Sequence, residues 1–273
     1  MTATDTDYDT IRRDGVLRVA RSGTEWLSTG WNGGRHTADC AYNVSVPEGW
    51  ERTDLGTYVD ERLERAGFEP TAADAATAGD AVGPALLTGV DIADARGARR
   101  GPVTAYATAG ISNPAALPMD PDPVGATDLD GAATDESALE QGRGTVNVIV
   151  GTTRALAPGA LANLIAVAAE AKAATLLAET GFPGTTTDAV IVGHDPSGSA
   201  AAFSGSGTEV GAATRACVRD AIRASLRVHY TDSDVSLPES VADAAYGVST
   251  DDRAEVFRPG LEPGVDDDRG ATE

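Results

Sequence analysis

Lysine is all but missing from this chain: Lys172 is the only one in 273 residues. Arginine supplies the other twenty of 21 basic side chains, set against 42 acidic ones, and the formal charge is −21. Such a deficit excludes phosphate-backbone binding as a main role, because nucleic acids are held by clustered Lys and Arg. It also argues against anionic membrane surfaces. An acidic surface with arginine as the default cation fits a cytoplasm of very high salt. There, screening over about 3 Å at molar ionic strength makes self-repulsion tolerable. Cysteine is as scarce. Cys40 and Cys217 stand far apart, outside any CxxC or Cys/His cluster, so neither a zinc site nor a disulfide framework is indicated. No run approaches 18 apolar residues, so no membrane span is expected. Met1–Asp14 is acidic and polar, without the apolar centre of a secretion signal. The expectation is a reduced, cytoplasmic protein.

Aromatic residues are only 5% of the chain, so the core is expected to be built on Ala, Val and Leu. Short strands are predicted at Val16–Ala20, Glu25–Thr29 and Cys40–Val46, with a turn at Gly30–Gly34. Asp54–Ala66 has helical periodicity and ends at Gly67. Ala85–Val90, Val103–Thr108, Thr145–Val150 and Asp188–Val192 are apolar runs of strand length, and Ala200–Phe203 is a shorter candidate. Pro158–Thr180 and about Thr208–Tyr230 read as long helices. The second of these opens on a capping box, Ser206 to Glu209, and carries Arg215, Arg219, Arg223 and Arg227 as a solvated stripe. Helices and strands do not alternate cleanly. The expected fold is therefore α+β (mixed α/β), one domain over residues 15–230 with a mixed sheet covered by helices. Residues 1–14 are expected to fray. Residues 118–143, rich in Pro, Gly, Asp and Ala, are expected to form a mobile acidic insertion. Residues 231–273 are read as a mostly disordered acidic tail with one short helix near Val241–Val248.

His36, His194 and His229 occur in no metalloprotease or nucleophile-elbow motif, and there is no Walker loop. Gly205-Ser-Gly207 lacks the third glycine of a dinucleotide fingerprint. Chemistry is thus sought elsewhere, and Lys172 stands out. At about 100° per residue it projects from the face formed by Leu161, Leu164, Ile165, Ala168 and Leu176, where an unpaired ammonium costs several kcal/mol, roughly. The competing reading is a lysine that lays its stem on apolar surface with its head in water, or a structural ion pair. Four segments place small polar loops at strand ends: Leu27–Gly34, Thr108–Asn113, Gly144–Asn147 and Gly184–Asp188. Glycine lets backbone N–H groups approach a ligand, and Thr, Ser and Asn supply neutral donors and acceptors. Taken singly, each reads as an ordinary turn.

In this order and spacing, together with Asn43, Glu170–Lys172 and Gly207–Gly211, these blocks resemble the adenosylcobinamide amidohydrolase family from about Leu17 to Leu226. The resemblance implies hydrolysis of the amide joining aminopropanol to a propionate arm of adenosylcobinamide, giving adenosylcobyric acid and 1-amino-2-propanol. It implies no separate cofactor or metal, since cobalt arrives within the corrinoid substrate. The partner implied is that small molecule, not nucleic acid or membrane, and a homo-oligomer is left open. On this reading Lys172 is a pKa-shifted base or the positive partner of the oxyanion, and Asp188 orients it or activates water. Thr185 or Thr187 is the hydroxyl nucleophile. Glu170 belongs to the same block but lies nearly opposite Lys172 on an ideal helix, so one of the two is structural. Ser28, Gly33, Gly34, Asn43, Thr108, Gly110, Asn113 and Asn147 would bind substrate, the asparagines holding its carboxamides. The alternative is a non-catalytic corrinoid-binding or trafficking protein using the same loops.

Overall fold

The alternating side chains of one long strand set the layering of this protein. The computed structural model describes residues 8–47, 53–68, 83–121, 144–231, 236–244 and 246–259. In β10 (Val146–Leu156), Val146, Val148 and Val150 face helices, whereas Asn147, Ile149 and Gly151 face a second sheet. β10 lies within six strands ordered β4 (Gly34–Thr37), β3 (Glu25–Ser28), β12 (Ala189–Ala201), β10, β8 (Val103–Ala109) and β7 (Arg96–Arg100). β10 and β12 are parallel, with α2 (Pro158–Thr180) in the crossover, and the other pairs are antiparallel. The second sheet is β1 (Asp9–Arg13), β2 (Val16–Ala20), β5 (Cys40–Ser45) and β6 (Ala85–Thr88).

The two sheets stack through Leu17, Val19, Ala41 and Leu86 on one side and Trp26, Tyr106, Ile149 and Ile191 on the other. α1 (Leu55–Arg65) covers the outer face of the smaller sheet with Tyr58, Val59 and Leu63. α2 and α3 (Glu209–Thr231) cover the outer face of the larger one. The order is helix, sheet, sheet, helices. The α+β class is as expected, but the single mixed sheet is replaced by two stacked mixed sheets. The reason is visible in β8, which is buried at every position and so needs a layer on each face. A third, small sheet joins β11 (Gly184–Thr185), β9 (Pro114–Ala116) and β13 (Val248–Ser249).

Several local expectations are corrected. Residues 8–14 do not fray: β1 pairs with β2 through Asp14 and Gly15, both at positive φ, the geometry of a two-residue hairpin. Tyr8 anchors that strand, buried edge-on to Trp26; residues 1–7 lie outside the described residues. The runs at Asp188–Val192 and Ala200–Phe203 belong to one strand, β12. The cap of α3 is Thr208, whose Oγ1 accepts from Gly211 N at 3.0 Å, rather than Ser206. The acidic insertion falls mostly outside the described residues, which stop at 121 and resume at 144. Part of the expected tail is ordered on the body: β13 pairs with β9, and Leu237 and Val241 pack against the main core. By length and composition α2 is apolar enough to cross a membrane, but half of that stretch is buried within the fold.

Two glycines admit aromatic rings between the sheets. A Cβ at Gly193 would stand 2.3 Å from the Trp26 ring, and one at Gly151 would stand 2.5 Å from the Tyr8 ring. Trp26 is fully buried and has nowhere to move. Gly193→Ala is expected to lower stability by about 1–3 kcal/mol through overpacking. Chemical denaturation in molar KCl measures this; an unchanged midpoint would mean that the sheets can separate at no cost.

Candidate functional site

α2 delivers Lys172 because its apolar face must. Leu161, Leu164, Ala168 and Leu176 are fully buried on the sheet, and the lysine shares their stripe at 9% exposure. Gly181, in the left-handed conformation, ends the helix and sends the chain back through β11. Asp188 then sits on the helix-facing side of the sheet and receives the Lys172 Nζ on its Oδ2. Three further donors complete this carboxylate. Thr185 N reaches Oδ2 at 3.1 Å, Thr185 Oγ1 reaches Oδ1 at 2.5 Å, and Val146 N reaches Oδ1 at 2.8 Å. Four donors match the four lone-pair sites of an ionised carboxylate. Gly184 makes room for this: a Cβ there would lie 2.7 Å from Asp188 Oδ2 and 3.3 Å from Lys172 Nζ. The side chains of Lys172 and Asp188 are 11% and 10% exposed, so the pair is nearly dry.

The loop between β11 and β12 is fastened from outside. Asn113 donates its amide to Thr186 Oγ1 at 2.6 Å and to Thr187 Oγ1 at 3.4 Å, and its backbone carbonyl accepts from Thr186 N. Thr187 Oγ1 donates to Gly144 O at 3.3 Å, and Thr145 Oγ1 donates to Thr187 O at 2.9 Å. On the other face of the same strands lies a second polar group. Asn147 donates to Asn43 Oδ1 at 3.0 Å and to Leu87 O at 2.8 Å, and Asn43 donates to Thr108 Oγ1 at 2.9 Å. Asn43, Asn147, Thr108 and Thr88 are at most 2% exposed and lie between the two sheets. These asparagines are engaged with protein groups, so the structure gives them a part in joining the sheets behind Asp188. It does not present them to a ligand. Thr145 bridges the two groups, its hydroxyl also lying 3.4 Å from Asn147 Oδ1.

Other expected residues stand apart from the ammonium. Glu170 is exposed and pairs with Arg215 at 3.1 Å, across from α3 and away from Asp188. Ser28 Oγ accepts from Gly30 N at 3.0 Å and so shapes its own turn. Gly33 is confined by the Gly30 and Ser28 carbonyls, and Gly34 takes φ +107 at the start of β4. Gly110 is a packing position, where a Cβ would meet Val90 and His229. The loop carrying Ser28–Gly34 is nevertheless tied to the strand of Asp188, since Thr29 N donates to Val190 O at 3.0 Å and Thr29 Oγ1 accepts from Val190 N at 2.9 Å. Sequence reasoning missed Thr186 as a partner of Asn113 and Thr145 as the link between the faces. It had no signal for Val146 N, a backbone group. Cys217 is buried against β8, and burial pushes its thiol up to about 11, which leaves it inert as a nucleophile. His194 accepts from Leu156 N at 3.0 Å within the β10–β12 irregularity, His36 meets Asn32 O, and His229 meets Asp94.

The chain has relatives among known proteins. Residues 1–234 match the family model described as adenosylcobinamide amidohydrolase. An adenosylcobinamide amidohydrolase of Halobacterium salinarum is 54% identical over 252 residues, covering 92% of this chain and 100% of its own length. Another, from Methanosarcina mazei, is 27% identical over 221 residues, covering 77% of this chain and 94% of its own. Among solved structures, the PH0078 protein from Pyrococcus horikoshii OT3 is similar over 80% of this chain and 79% of its own, at 14% identity and a TM-score of 0.44. With a matching family model over most of its length and a relative more than half identical, the chain belongs to the adenosylcobinamide amidohydrolase family.

Proposed function

We propose that this protein hydrolyses the amide between aminopropanol and the propionate arm of adenosylcobinamide, with Thr185 as nucleophile and Lys172 and Asp188 as its activating pair. Membership of an amidohydrolase family makes the chain a hydrolase of a linear carbon–nitrogen bond. One observation carries the assignment of residues: a threonine hydroxyl and the ammonium of the chain's only lysine share one carboxylate. Lys172 is the cation of an ion pair here, a geometry that suits the oxyanion partner and proton donor better than the free base.

The steps follow from that geometry. Thr185 Oγ1 attacks the amide carbonyl as its proton moves to Asp188 Oδ1. An ammonium has three donors. One is spent on Asp188 Oδ2, and the others are free for the developing oxyanion, where a water-poor setting strengthens them. The proton taken up by the carboxylate is balanced by one given to the departing nitrogen, so 1-amino-2-propanol leaves as the C–N bond breaks and a Thr185 ester remains. Water cleaves the ester, returning a proton to Oγ1 and giving the carboxylic acid. No further cofactor is assigned, and cobalt belongs to the substrate. The acidic surface suits these reactions to a cytoplasm at molar salt.

Incubation with adenosylcobinamide in molar KCl, followed by mass analysis, is expected to show the acid and free aminopropanol in equal amounts. A stoichiometric shift of the corrinoid spectrum with no amine released would instead identify a carrier and end the hydrolytic reading.

A further inference from the structure

An indole stands half in solvent on a loop that Thr29 ties to the strand following Asp188. Trp31 is 43% exposed, whereas Trp26, five residues before it, is fully buried. Phe203 and Phe257 are more exposed still, at 76% and 77%; what sets Trp31 apart is a fastened turn joined to the strand that follows Asp188. The loop around it is held at several points. Asn32 Oδ1 accepts from Ala85 N at 3.2 Å, Asn32 O meets His36 Nε2 at 2.7 Å, and Gly30 N is bound by Ser28 Oγ. A Cβ at Gly30 would lie 2.9 Å from Ala85 O, and one at Gly33 2.9 Å from Gly30 O, so the turn has one close-packed path. The Trp31 ring edge rests 3.6 Å from where a Cβ of Gly56 would be, at the start of α1. A partly exposed aromatic with two side-chain torsions on a fastened backbone loses little freedom when a flat ring settles on it.

Its distance from the chemistry is bounded. Thr29 is bonded to Val190. Trp31 lies two residues beyond Thr29, and Asp188 two before Val190. At no more than about 3.6 Å per residue and about 5 Å between paired strands, the backbone at Trp31 is within about 20 Å of that at Asp188.

Resting on the function proposed above, we infer that Trp31 is a specificity residue that stacks on the adenine of the cobalt-bound adenosyl group. One indole matches a purine in size and in its flat unsaturated face. The corrin ring, by contrast, carries methyl groups and amide arms around its rim and axial ligands over its faces. Stacking of a base on an aromatic side chain commonly changes affinity by about ten- to hundredfold on truncation.

The test compares adenosylcobinamide with methylcobinamide, which lacks adenine, in wild type, Trp31→Ala and Trp31→Phe. Kinetics and equilibrium binding are both measured in molar KCl, with folding checked by circular dichroism. Wild type is expected to favour the adenosyl form. Trp31→Ala is expected to raise KM and Kd about ten- to hundredfold for that form alone, with the effect in KM rather than kcat, and Trp31→Phe to recover part of the loss. Equal weakening toward both corrinoids, or none, overturns the stack. If wild type binds with this adenine dependence but releases no amine from either compound, the stack stands and amide hydrolysis falls.

Discussion

Lys172→Met is expected to reduce aminopropanol release by about 10³-fold, a scale typical for loss of a proton donor or an oxyanion partner. The same change removes one of four donors from the buried Asp188 carboxylate. Breaking a buried pair from one side commonly costs about 3–5 kcal/mol, so the single variant will also be less stable. Two effects are then mixed, and a second variant separates them. In Lys172→Met with Asp188→Asn no unpaired charge is left, so stability is expected to return in part, the new amide nitrogen still facing a backbone N–H of Thr185 or Val146. Activity is not, because the ammonium and the carboxylate that orders Thr185 are both gone. Asp188→Asn alone should be as inactive as Lys172→Met, since its amide nitrogen would face a backbone N–H of Thr185 or Val146. Turnover in molar KCl and denaturation midpoints, read side by side, decide the matter. Near-normal turnover in either single variant would falsify the role given to this pair, whatever happens to the midpoint.

How far the sequence could be read follows the range of the interactions involved. α2 and α3 were legible because a 23-residue amphipathic or apolar pattern is a local signal, and both end close to where the periodicity stops. β2, β3, β5 and β8 were legible as apolar runs. β7 was not: Arg96–Arg100 has charged side chains and holds its place as an edge strand by pairing with β8. β4, β9, β11 and β13 are two to four residues long, and their pairing depends on partners distant in sequence. The hairpin at Asp14-Gly15 did carry a local signal, an Asp-Gly pair between strand-like runs. It was outweighed by the acidic composition before it.

The site divides along the same line. A lone lysine on an apolar stripe is a conflict that a sequence displays openly, and Asp188, sixteen residues on, resolves it. Which side of the sheet each asparagine faces was hidden. Asn147 and Val146 are neighbours in β10, yet one faces the second sheet and the other the helices. The resemblance made Asn43 and Asn147 holders of substrate amides; the two-residue period of a strand turns them to the face away from Lys172. Glu170 shows the converse. Two positions before Lys172 on a helix is nearly the opposite face, and Arg215 meets it there.

Thr185 and Thr187 can be told apart by experiment because their hydroxyls have different partners. Thr185 Oγ1 donates to a carboxylate at 2.5 Å, a short contact with a group able to take its proton. Thr187 Oγ1 has only longer contacts, 3.3 Å to a backbone carbonyl and 3.4 Å to the Asn113 amide, neither of which can act as a base. Thr185→Ala is therefore expected to lower kcat by about 10³-fold or more, in the range of other lost hydroxyl nucleophiles. Thr187→Ala should cost less than about tenfold, through loosening of the loop alone. Thr185→Ser keeps an attacking oxygen but drops the methyl group that restricts χ1, so partial activity should return. Hydroxylamine supplies an independent check: it captures an ester as the hydroxamate, and the trapped corrinoid should form with wild type and Thr185→Ser but not with Thr185→Ala. If Thr187→Ala is the dead variant and Thr185→Ala still turns over, the nucleophile has been assigned to the wrong hydroxyl. If both alanine variants turn over and no hydroxamate forms, the attacking group is a water molecule, and Asp188 and Lys172 act on it without a covalent intermediate.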